Sequence, residues 1–172
     1  VNLVDFLEGF FGLHARGGIW NAYNIVADLL TFLILVGILG LMLRRYLLAP
    51  RDFTWNPNVP LHEKARAGIA RDSAIVGAFI AFHVGSRLLS KAFQLAGEGP
   101  DPFQPVASAL AGALSGLPPA LLTFGEHFFW WGALGSILLF LPYFPRSKHI
   151  HLFMAPINLA FRKEVPGALT PL

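Results

Sequence analysis

Fifteen consecutive residues without an ionisable group, LLTFLILVGILGLML at positions 29–43, constrain this chain more than any other feature. They sit inside an apolar run from Ile19 to Leu48 that reaches Arg44 and Arg45. A helix of that length crosses a hydrocarbon layer of about 30 Å, and its terminal cations snorkel to the head groups. The composition agrees: 55% of residues are hydrophobic, 13% are charged, and the mean hydropathy is +0.57. That balance is wrong for a water-soluble globule, so the expected solvent is a bilayer.

Two more runs repeat the pattern. The second is expected at about 69–95, around SAIVGAFIAFHVGSRLLSKAFQL, and the third at about 120–144, around FFWWGALGSILLFLPYF. Between the first two lies a Pro- and Asn-containing loop, since proline lacks the N–H that a continuing helix needs. After AGEGPDPFQP, the segment 106–117 predicts a short helix lying along the membrane surface, because twelve residues reach only about 18 Å. Pro118 and Pro119 close it. The apolar opening VNLVDFLEGFF has no basic region or cleavage site of a signal peptide and is read as the tail of an earlier helix. The fold expected is thus an all-α transmembrane helical bundle of three complete spans, one membrane domain over 1–172, cut from a longer chain.

Charge sets the orientation. Ten of the thirteen Lys and Arg residues fall on one side: Arg44, Arg45, Arg51, Lys64, Arg66, Arg71 and the tail residues Arg146, Lys148, Arg162 and Lys163. The basic loops and the tail 145–172 are therefore expected in the cytoplasm, with Asp5, Glu8, Glu98 and Asp101 outside. Nucleic acid is not an expected partner.

Cysteine is absent. That excludes disulfides, thiolate zinc, covalently attached haem and any iron–sulfur cluster within this segment. A redox centre would need other ligands, and six histidines are present. Ionisable groups inside a bilayer cost several kcal/mol unless paired or liganded. His83, in AFHVGSR, has the setting of an axial ligand to b-type haem, and Arg87, one turn on, is placed to meet a propionate. His127, in GEHFFWW, offers a second imidazole from an antiparallel helix. The two differ in depth, about 18 Å against about 10 Å from the outer ends of their helices, which tilt must reconcile. Either ring could instead hydrogen-bond a neighbouring helix. His149 and His151 in SKHIHLF are two residues apart and face different directions, so at most one points into a bundle. His14 and His62 are expected to be solvated. Asp28, with Asn21, Tyr23 and Asn24 nearby, is either a proton acceptor for quinol oxidation or a structural partner of Arg87. Glu126 is open in the same way, with helix capping as its plain role.

The run LPYFPRSKHIHLFMAPINLAFRK resembles the end of the last transmembrane helix in the cytochrome b family of respiratory nitrate reductase gamma subunits. It resembles still more the membrane domain partnered with heterodisulfide-reductase-type iron–sulfur proteins, where a P-x-SK-H-x-H-x-F-x-x-P-x-N pattern recurs. RDSAIVGAFIAFHVGSR, the acidic external connection and H-x-x-W-W extend the similarity along nearly the whole chain. The resemblance implies b haems stacked across a bacterial or archaeal cytoplasmic membrane, passing electrons between quinone and a cytoplasmic iron–sulfur partner. It implies haem iron held by His151, with His149 on a non-ligand position. The other family ligand on that helix falls near Ala133, so His127 is a displaced substitute and His83 its partner. The function expected is b-haem electron transfer. The alternatives are a haem-free anchor for a soluble dehydrogenase and a small proton or ion transporter using Asp28, Arg87 and His83.

Overall fold

A computed structural model describes residues 17–48, 63–147 and 150–161. The expected tail of an earlier helix, the loop with His62, and His14, His149 and the last eleven residues lie outside the described residues. Every regular element described is helical. Helix α1 (Gly18–Leu43) continues through a π-helical turn, Arg44–Leu48. Helix α2 is Glu63–Glu98, α3 is Pro105–Leu114, α4 is Pro119–Phe140, and α5, after a 3-10 turn at Phe144–Arg146, is His151–Ala160.

Local chemistry fixes the boundaries. Gly99, at φ 108, takes the left-handed conformation that ends α2, and its N–H reaches the Leu95 carbonyl at 2.8 Å. Asp101 then folds the connection, its carboxylate accepting from the Phe103 N–H at 2.9 Å and the Gln104 amide at 3.0 Å. Pro105 and Pro119 open α3 and α4 at the first-turn positions, where a missing N–H costs nothing.

Helices α1, α2 and α4 run antiparallel in sequence. Down the α1–α2 seam, Arg87 meets Thr31, Leu35 meets Gly85, and the Tyr46 hydroxyl donates to the Ala70 carbonyl at 3.0 Å. Down the α2–α4 seam, Phe93 meets Gly125, Ser90 donates to the Glu126 carbonyl, Ser86 meets Gly132 and Asp72 meets Tyr143. Small side chains make this possible: a Cβ added at Gly125 would lie 2.5 Å from the Phe93 ring. Without a solvent-driven core, close backbone approach of this kind is how apolar helices pack.

Helices lie over the three expected segments, with α4 ending at Phe140 rather than at about 144. Among the described residues, Gly18–Leu48 and Ala70–Glu98 are long and apolar enough to cross a membrane. Helix α4 has 22 residues, and Glu126 and His127 dilute its apolar content. Outward-facing side chains are unusually apolar: Leu33 is 62% exposed, Leu138 61% and Leu139 80%. Helix α3 is the short helix expected after the acidic connection, over Pro105–Leu114. It packs Ala107 and Ala111 against Leu88 and Leu95 of α2, with its N-terminus at the level of Asp28.

Candidate functional site

Asp28 sits ten residues into α1, about 15 Å along its axis, and is buried. Its carboxylate accepts the N–H of Val106 at 2.6 Å and of Ala107 at 3.2 Å. These are the second and third residues of α3, whose own N-cap residue, Gln104, supplies no side-chain bond. Asp28 therefore performs from another helix the task a capping carboxylate performs locally, and its charge lies at the positive end of the α3 dipole. Arg87 is directed to Thr31, with Nη1 donating to Oγ1 at 2.6 Å, and Thr31 in turn donates to the Ala27 carbonyl at 2.6 Å. Asn24, Asp28, Arg87, Lys91 and Gln104 line one narrow cleft of about 10 Å³, close to the space of a single water.

His83 is half-buried where α2 faces α4. Its Nδ1 lies 3.0 Å from the Ala133 carbonyl and 3.1 Å from the Ser136 hydroxyl, which itself donates to Ala133 at 2.7 Å. Phe79 stacks on the ring at 5.8 Å between centroids. An Nδ1–H on a backbone carbonyl is the arrangement that orients an iron-ligating imidazole, so the ring's setting has the right chemistry. Its geometry toward His127 is different. The α4 face against α2 carries Gly125, Phe129, Gly132 and Ser136. His127 is two residues from Gly125, about 200° round the helix, and is exposed. The α2–α4 register also sets the two histidines about 12 Å apart along the axis. Bis-histidine ligation needs imidazoles on both sides of one porphyrin plane. The structure does not bring His83 and His127 together: the α2–α4 contacts at Gly125 and Gly132 lie on the face that His127 turns away from.

His151 begins α5 and is exposed. Among the described residues, no group of three or more His, Asp or Glu side chains is arranged to hold a metal ion.

Two features escaped sequence reasoning. Tyr143 donates to the Asp72 carboxylate at 2.5 Å, joining the end of α4 to α2 across 71 residues. Beside it, an open groove of about 630 Å³ runs between α2 and α4, walled by Phe79, Phe82, Trp131 and Phe140 and floored by Gly132 and Gly135. Neither pairing has a local sequence signal, because each depends on the inter-helix register.

In sequence, the chain is 31% identical over 156 residues to the Probable iron-sulfur-binding oxidoreductase FadF of Bacillus subtilis (strain 168). The similarity is to a redox protein. It takes in 89% of this chain and 20% of that protein, so the chain spans about one fifth of its relative's length. No family model matches the chain, and no solved structure matches it.

Proposed function

We propose that this chain is the membrane-embedded module of an iron–sulfur oxidoreductase, passing electrons between a membrane quinone and a cytoplasmic iron–sulfur module. The observation that carries the reading is a likeness to such an oxidoreductase along 89% of a chain that has no cysteine. Iron–sulfur clusters are held by cysteine thiolates. This sequence holds none, so an iron–sulfur module serving it would be another segment or a separate subunit. What this segment offers instead is apolar length. In the proposed arrangement α1, α2 and α4 are three spans, their exposed leucines and phenylalanines meet acyl chains, and the end bearing Arg44, Arg45 and Arg146 faces the cytoplasm.

Haem b is the proposed cofactor, and exposed imidazoles support its proposed ligands. His127 and His151 present exposed rings, and each would hold a haem against a helix supplied from outside the described residues. The group would provide a one-electron carrier there. No step is routed between His83 and His127. The test is the optical spectrum of the full-length protein purified from its own membranes. A b-type α band on reduction by quinol is the expected result, and its absence after dithionite would sink the haem assignment.

One observation favours a second reading. His83 is already satisfied by Ala133 and Ser136 within a closed seam, as it would be in a haem-free anchor for a soluble dehydrogenase. That reading expects no b-type band in the full-length protein, and expects His127→Ala and His83→Ala alike to leave electron transfer unchanged.

A further inference from the structure

We propose that the groove between α2 and α4 binds the head group of a quinone or hydroquinone, with the Tyr143–Asp72 pair as its polar end. This rests on the quinone-linked reading above and adds a site to it, at the end of the bundle opposite Asp28.

The size and lining select the class of ligand. At about 630 Å³ the groove lies within the range of small-molecule sites, and its walls are aromatic. Phe79 and Phe140 stack on each other at 4.0 Å with planes 5° apart, bridging α2 and α4 and turning ring edges to the groove. Flat rings with an apolar body pack well on such a surface. The mouth opens sideways rather than toward an end: Phe82 is 54% exposed, Trp131 56% and Leu139 80%. A ligand would therefore enter from lipid. From Gly132 to Phe140 the groove follows α4 for about 12 Å and continues to Tyr143 in the turn beyond it, enough for a ring and the start of a tail.

The polar end narrows the choice further. The Tyr143 hydroxyl, whose one proton goes to the Asp72 carboxylate, accepts from a hydroquinone hydroxyl as it stands, and donates to a quinone carbonyl when that proton turns from Asp72 to the ligand. A fatty acid or phosphate head would meet the Asp72 carboxylate with like charge. A plain acyl chain would make no use of the pair. Ser136 supplies one further hydroxyl at mid-groove and links the groove to the His83 ring.

The test uses the full-length protein in lipid nanodiscs, titrated with 2-methyl-1,4-naphthoquinone carrying a short alkyl tail, read by quenching of tryptophan fluorescence. The expected result is saturable quenching, most of which disappears in Trp131→Phe. Gly135 is the decisive position, because a Cβ there meets nothing within 4 Å. Gly135→Leu should fill the groove, keep the wild-type melting temperature and abolish binding. Tyr143→Phe should weaken binding about tenfold, the loss expected for a hydrogen bond supported by a charged partner. Wild-type affinity in Gly135→Leu or in Tyr143→Phe, or displacement of the naphthoquinone by dodecanoate, would overturn the proposal. The readout needs neither haem nor an electron partner. Intact binding without a b-type spectrum would thus sink the electron-carrier reading and leave this site standing.

Discussion

The carboxylate of Asp28 on α1 accepts the backbone N–H of Val106, 78 residues later in the chain, at 2.6 Å, and so caps α3 from a different helix. The bond ties the connection between α2 and α4 into the seam of the bundle. Asp28→Ala should leave two buried N–H groups of the first turn without acceptors, at a cost of about 2 kcal/mol. Asp28→Asn keeps one acceptor oxygen and should lose about half as much, read as melting temperatures in detergent. Both carboxylate oxygens are engaged by N–H donors, so the folded Asn variant should also retain quinol-linked activity. Loss of that activity without loss of fold would reinstate Asp28 as a proton acceptor.

Gly125 is the tightest point of the α2–α4 seam. An added methyl would overlap the Phe93 ring, which stacks on Phe129 with centroids 5.6 Å apart and cannot swing away without disturbing that contact. Gly125→Ala should cost about 1–3 kcal/mol, the range for overpacking a filled site. Combining it with Phe93→Leu should cost less than the two changes summed, because the leucine vacates the overlapping volume. Additive losses would mean that the helices had already moved apart.

The α1–α2 seam depends on a different chemistry. Thr31→Val preserves shape but removes the acceptor that Arg87 reaches at 2.6 Å. A guanidinium in an apolar seam without that partner should cost about 2 kcal/mol, within the range for hydrogen bonds to charged groups. Adding Arg87→Met removes the donor as well, so the double variant should recover part of the loss. A double-mutant cycle with no coupling would show that Arg87 takes its stabilisation elsewhere.

Much of the fold was legible in the sequence. Apolar runs between cations, with Pro and Gly at their ends, marked every helix described up to α4, because these signals act within one turn of the chain. Asp28 was legible as a group in need of partners, but not which ones: it is satisfied by backbone N–H groups, which carry no residue identity. The same limit hid Tyr143–Asp72, where a tyrosine and an aspartate are neighbours only because of the α2–α4 register. The facing of His127 was readable in principle. Gly125, Gly132 and Ser136 recur at intervals of seven and four along α4, a small-residue seam that fixes which side meets α2, and His127 lies on the other.

That facing separates the histidines experimentally. His127 is exposed on the outer side of α4, so His127→Ala should leave the unfolding free energy of the bundle within about 0.5 kcal/mol of wild type, as for surface changes generally. His83→Ala removes a ring that Phe79 stacks on and that holds Nδ1 3.0 Å from Ala133. It should destabilise by about 1–3 kcal/mol through the lost hydrogen bond and the space left behind. If haem b is seated on the outer face of α4, the b-type band should lose that haem's share in His127→Ala while the fold survives, and persist in full in a folded His83→Gln, which retains a polar group against Ala133 and Ser136. The reverse pattern, colour lost with His83 and kept without His127, would place the iron inside the α2–α4 seam and require these two helices to separate when it binds.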